Sequence, residues 1–92
     1  MGKELRITYQ HFNEADLEEF ILSRFGAHYN AEESSWHINA PGIVLPALTI
    51  SLEANSLAFC DNLVSEKISA LVFYELVQYL LSKSTEININ EP

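Results

Sequence analysis

The chain has 92 residues, of which 48% are hydrophobic and 20% are charged. This length and composition predict a single globular domain over residues 1–92 and exclude a disordered chain or a second core. Thirteen acidic residues against five basic ones give a formal net charge of -8, which repels nucleic-acid phosphates and anionic lipid, so direct binding to either is not expected.

The cysteine content and the first residues indicate a compartment. Cys60 is the single cysteine, so no internal disulfide can form, which fits a reducing environment. The start "MGKELRITYQ" lacks the apolar run of a signal peptide, and Arg6 stands where a myristoylation signal has Ser or Thr. We therefore expect the cytoplasm, either of a bacterium or of a host cell.

The first elements are a strand and a helix. "ELRITY" alternates apolar and polar residues, which predicts a half-buried strand. Asn13 is a good N-cap, Phe12 and Leu17 can form a hydrophobic staple, and Gly26 suits the C′ position. A helix is therefore expected between Asn13 and Gly26.

Three further strands are predicted in the middle of the chain, after a polar loop at residues 30–35. "SWHINA" and "ALTISLEA" alternate well, and "SLAFC" can pair with the latter through a tight turn at Asn55. "APGIVLP" separates the first two, because Pro41, Gly42 and Pro46 interrupt a strand. Residues 85–92 alternate weakly and predict either an edge strand or a frayed tail.

A second helix is expected from a cap at Asp61, Asn62 or Ser65 to about Lys83. Its stretch "ISALVFYELVQYLL" is apolar on nearly every side but is shorter than the roughly 20 residues of a membrane span. At 100° per residue a narrow arc is expected to face water, formed by Leu71, Glu75, Gln78 and Ser82. The apolar surplus, around Tyr74, Val77 and Leu81 or around Ile68 and Tyr79, is either buried or reserved for a partner.

The predicted fold class is α+β, with an antiparallel sheet of three to five strands, two helices packed on one face, and the order β-α-β-β-β-α. The middle of this order is similar in outline to the double-stranded-RNA-binding domain. That family needs a basic patch at the start of its last helix, where this chain has only Lys67 beside Glu66. No family is assigned.

Catalytic and metal-binding patterns are missing from the sequence. The glycines are isolated, and His11, His28 and His37 lack metal-ligand spacing, so we predict no cofactor and no metal site. A two-histidine site would require the strands that carry His28 and His37 to pair. Cys60 with His37 and Asp61 could form a nucleophilic pair, but a lone cysteine in "LAFC" is more typical of a small buried hydrophobe.

The acidic residues form the strongest pattern. Six of them are close in sequence and could create one acidic surface: Glu14, Asp16, Glu18, Glu19, Glu32 and Glu33. Such a surface is either a solvated face or a mimic of phosphates that occupies a basic groove. The residues that we expect to bind a partner are Glu14, Glu18, Glu19, Glu32, Glu33, Tyr74, Val77 and Leu81.

These features predict a small acidic, non-enzymatic binding protein. We expect an inhibitor that occludes a basic protein, such as one that binds nucleic acid. In size and acidity the chain resembles the general type of bacterial immunity proteins, antitoxins and phage anti-defence inhibitors. Two alternatives stay open: a structural or adaptor subunit that homodimerises through the second helix, and a small enzyme that uses Cys60 and His37.

Overall fold

A computed structural model describes residues 2–10, 13–84 and 86–91. Six strands and two helices follow one another along the described residues. In chain order the elements are β1 (Lys3–Tyr9), α1 (Glu14–Phe25), β2 (His28–Asn30), β3 (Ser35–Asn39), β4 (Pro46–Glu53), β5 (Ser56–Asp61), α2 (Glu66–Lys83) and β6 (Ile87–Asn90).

The strands form one antiparallel sheet in the order β2-β3-β4-β5-β1-β6. The α+β class is confirmed, but the prediction of three to five strands was too low. β2 lies at the border of the expected polar loop, and its His28 and Tyr29 are both exposed, so it carries no alternating pattern. Four strands therefore separate the helices, which removes the outline shared with the double-stranded-RNA-binding domain.

Side-chain caps set the ends of both helices. Asn13 accepts a hydrogen bond from the Ala15 amide at 2.9 Å, and Gly26 ends α1 with a left-handed φ of 62°. Of the three caps considered for α2, Ser65 is the one used, and its hydroxyl accepts from the Ile68 amide at 3.3 Å. The predicted staple involves Phe12, which lies outside the described residues.

One hydrophobic core joins the two helices to one face of the sheet. The alternating residues of β1, β4 and β5 point into it, with Ile7, Ile50 and Leu57 fully buried. The helices add Leu17, Ile21, Val72, Leu76 and Leu80 to the same cluster. The opposite face of the sheet carries the intervening, mostly polar residues and is called the open face below.

The two helices run antiparallel to each other. The Tyr79 hydroxyl donates to the Asp16 carbonyl at 3.4 Å, and the Tyr79 ring stacks on Phe20 with centroids 3.9 Å apart. Further along, Arg24 forms an ion pair with Glu75. These contacts fix α1 against one flank of α2 and leave the other flank of α2 over the sheet.

The strand register separates the molecule into two ends. Pairing of Thr8 with Ser56, and of Asn30 with Ser35, places three features together: the start of α1, the β2–β3 turn and the β4–β5 turn. We call this the acidic end. The opposite loop end carries the β3–β4 loop at residues 40–45 and the β5–α2 loop at residues 62–65.

Candidate functional site

The side of α2 that points away from the sheet is the main apolar surface of the helical layer. Leu71, Tyr74 and Leu81 are 58%, 62% and 51% exposed, at spacings of three and seven residues that align them along one helical face. We call these three residues the outer face of α2. No helix in the described part of the chain is long and apolar enough to cross a membrane.

The outer face stays uncovered because α2 has only two packed sides. Val72, Leu76 and Leu80 are buried against the sheet, and Tyr79 meets α1. Of the three residues around which the sequence analysis expected surplus apolar surface, Tyr74 and Leu81 are exposed, whereas Val77 is half-buried. Leu71, Gln78 and Ser82 of the expected water-facing arc are exposed, but Glu75 is half-buried beside Arg24.

A shallow groove lies between the two helices next to the outer face. It is lined by Phe20, Arg24, Tyr74, Glu75, Gln78 and Tyr79. The stacked Phe20 and Tyr79 rings form an apolar wall, and the Arg24–Glu75 ion pair supplies a polar one. Glu19, which precedes Phe20 in α1, is exposed but does not line this groove.

The acidic residues are distributed over the acidic end and along α1. Glu14 and Asp16 occupy the first turn of α1, where the helix dipole favours carboxylates. Glu32 and Glu33 lie in the β2–β3 turn at the same end, whereas the half-buried Glu18 lies further along α1 with Glu19. The six acids predicted to form one surface are therefore divided between an end of the sheet and a helix.

Both arginines form ion pairs with glutamates. Arg6 pairs with Glu53, and Arg24 pairs with Glu75. The Arg6 and Glu53 side chains are 42% and 47% exposed, so this pair contributes little to stability, whereas Glu75 in the second pair is only 21% exposed. Because arginine neutralises only these two carboxylates within residues 2–10, 13–84 and 86–91, the chain keeps a strong negative field.

Cys60 and His37, the two residues of the alternative enzyme, lie on strands that are not adjacent in the sheet. Thr49 of β4 pairs with both His37 of β3 and Cys60 of β5, so one whole strand separates the two side chains by roughly 10 Å, twice the ~4.8 Å strand spacing. The Cys60 thiol lies 3.4 Å from the Asn62 side-chain oxygen, and burial, followed by the Glu4 carboxylate, raises its pKa. This arrangement opposes an activated thiolate.

Asp61, the third member considered, serves the start of α2. Its carboxylate accepts hydrogen bonds from the Ser69 hydroxyl and the Leu63 amide, each at 2.8 Å. These bonds hold the β5–α2 loop in place. Asp61 is therefore a structural residue at the helix entrance.

The two histidines of the possible pair do come together. His28 and His37 are register partners in β2 and β3, and their ring centroids are 5.6 Å apart. The His37 Nε2 atom lies 3.1 Å from the Glu33 carboxylate. Among residues 2–10, 13–84 and 86–91, no group of three or more His, Cys, Asp or Glu side chains has the arrangement needed to hold a metal ion.

A second apolar surface at the loop end was missed by the sequence analysis. Val44 is 91% exposed, and Ile43, Leu45 and Leu63 beside it in the two loops are also exposed. The Asn39 side-chain amide donates to the Val44 carbonyl at 2.8 Å, which holds the β3–β4 loop outward. The signal was an apolar run, "IVL", between turn-forming residues, which we interpreted only as a break between strands.

The Asn62 side chain ties the two loops together. Its amide donates to the Pro46 carbonyl at 3.1 Å, and its backbone amide donates to the Ala47 carbonyl at 3.0 Å. These two hydrogen bonds connect the β5–α2 loop to the start of β4.

The chain was compared with protein-family models, curated proteins and solved structures, and it matches none of them.

Proposed function

We propose that this chain is a small, non-enzymatic binding protein that inhibits a basic protein partner by occluding it. The observation that carries the proposal is the outer face of α2, where Leu71, Tyr74 and Leu81 are each more than half exposed on one side of one helix. Exposed apolar side chains gathered on one helical face are typical of interaction surfaces. A tyrosine in their midst suits an interface because it combines a large ring with a polar tip.

Charge supports the choice of partner. The net charge of -8 and the carboxylates of α1, including the exposed Glu19, would attract a basic surface and repel a nucleic acid. In this mechanism the acidic residues accelerate and orient the encounter, and the outer face supplies most of the affinity. The basic partner would be one whose own ligand is anionic, such as a nucleic-acid-binding protein.

The test begins with capture from a lysate of the source organism at low and high salt, followed by titration of the purified partner. Truncation of the central anchor, Tyr74→Ala, is expected to weaken binding by about 2 kcal/mol, or roughly 30-fold in Kd. The double reversal E18K/E19K should slow association at low salt and reduce the salt dependence of the rate constant.

A matched control distinguishes a local effect from net charge. E4K/E91K makes the same charge change at two exposed residues outside α1. If it slows association as much as E18K/E19K does, α1 is not the acidic rim. Binding that survives Tyr74→Ala at full affinity would remove the outer face of α2 from the interface.

The homodimer is the competing use of the same face. Two copies meeting through α2 would bring two chains of charge -8 together, which opposes association at low salt. We therefore expect a monomer by light scattering at high micromolar concentration. A dimer that Leu81→Asp converts to monomer would favour the adaptor subunit instead.

A further inference from the structure

We propose that His28 and His37 together bind one divalent transition-metal ion of the class that prefers imidazole, namely Zn²⁺, Ni²⁺ or Cu²⁺. The site lies on the open face of the sheet, at its β2–β3 edge. It is separate from the outer face of α2, so it does not depend on the proposed partner.

Strand register brings the two imidazoles together. His28 and His37 stand directly opposite each other in an antiparallel pair, where Cβ atoms are about 4.5–5.5 Å apart on the same face of the sheet. Both side chains lie on the same face of the sheet as Thr49, the register partner of His37, and Cys60, the register partner of Thr49; this is the open face opposite the core. The residues of α1 and α2 that enter the core pack on the opposite face of the sheet.

The separation of the rings fits a shared ion. A metal–nitrogen bond of about 2.0–2.1 Å puts an imidazole centroid about 3.2 Å from the metal, so two ligands at a tetrahedral angle have centroids about 5.2 Å apart. The observed centroid distance is 5.6 Å. Since His28 is exposed, a small rotation of its side chain closes the difference.

Glu33 prepares His37 for this role. Its carboxylate lies 3.1 Å from His37 Nε2, and His37 is only 8% exposed, so the ring is held in the sheet surface. When Nε2 donates its proton to Glu33, the lone pair resides on Nδ1 and can bind a metal. A carboxylate that accepts from the second ring nitrogen is the usual companion of a metal-bound histidine, where it fixes the tautomer and increases basicity.

The site is an open one. It has two protein nitrogens, and water would complete the coordination shell, so binding should be weaker than at a structural zinc site with four protein ligands. Imidazole donors select Zn²⁺, Ni²⁺ and Cu²⁺ over Mg²⁺ and Ca²⁺, which prefer oxygen. The negative field of the chain raises the local concentration of any cation but does not itself provide this selectivity.

The experiment is calorimetric titration of the intact chain with ZnCl₂ and with NiCl₂, with MgCl₂ as the hard-cation comparison. One Zn²⁺ per chain is expected at neutral pH. His28→Ala should weaken binding at least tenfold, and Glu33→Gln should weaken it by roughly 10-fold through loss of the outer hydrogen bond.

His28→Ala is the decisive variant, because His28 is exposed and its removal should leave folding intact, which circular dichroism would verify. His11→Ala is the matched control and removes the histidine that is not part of the pair. Unchanged Zn²⁺ affinity in His28→Ala, an equal loss in His11→Ala, or Mg²⁺ binding as tight as Zn²⁺ binding would each overturn the proposal.

Discussion

At the scale of single residues, Cys60 shows how a sheet position decides the chemistry of a side chain. It alternates with core residues, points to the open face and is half-buried there. Burial and the neighbouring Glu4 carboxylate both disfavour the thiolate and raise the pKa of the thiol. Since the thiolate is the reactive form, Cys60 should be a poor nucleophile near neutral pH.

We expect Cys60 to react with a disulfide reagent such as DTNB more slowly in the native chain than in denaturant at the same pH. Glu4→Gln removes the second cause of the raised pKa and should accelerate the native reaction modestly. Rapid native labelling, equal to that of the unfolded chain, would revive Cys60 as a functional nucleophile.

At the scale of elements, α2 was predictable in its extent but not in its orientation. Ser65 and the apolar run up to Lys83 define the helix locally, because caps and periodicity are properties of neighbouring residues. The side left open depends on where α1 packs, which is decided by contacts such as Phe20 with Tyr79. For the same reason the exposed β2 escaped prediction, since its main support is pairing with β3.

Matched leucine truncations along α2 test this orientation. Leu76→Ala removes a fully buried side chain from the core and should reduce the free energy of unfolding by about 2–5 kcal/mol. Leu71→Ala makes the same chemical change on the outer face and should alter it by no more than about 0.5 kcal/mol. Urea unfolding of the two variants measures both, and a large loss in Leu71→Ala would mean that the outer face is packed.

At the scale of the whole molecule, the composition gives the negative sign of the electrostatic field. The order of the strands in the sheet and the difference between its two ends become visible only from the strand register. The acidic turns were recognisable as polar segments. Their gathering at one end depends on pairings between distant residues, such as Thr8 with Ser56. The apolar loop end, opposite to it, follows from the same register.

Stability should fall at alkaline pH through several groups at once. Burial raises the pKa of Tyr9, of Tyr79 and of Cys60, above ordinary values of 10.0 for tyrosine and 9.0 for cysteine. A group with a raised pKa in the folded state stabilises the chain below its ordinary pKa, and this contribution is lost as the pH rises through the folded value.

We therefore expect urea midpoints to be constant near neutral pH and to decline from about pH 9 upward. Tyr79→Phe removes one of these groups and should flatten the decline. Its control, Tyr74→Phe, makes the same chemical change on the outer face of α2. A midpoint that rises with alkaline pH would contradict the assignment.

The position of β1 has a consequence for how the chain is made. β1 lies between β5 and β6, so both of its hydrogen-bonded neighbours are synthesised long after it. While the ribosome is still translating, β2 to β5 can pair as successive local hairpins, whereas the amides of β1 have no strand partner. Completion of this sheet therefore waits for the synthesis of β5 and β6, and until then β1 lacks both of its hydrogen-bonded neighbours.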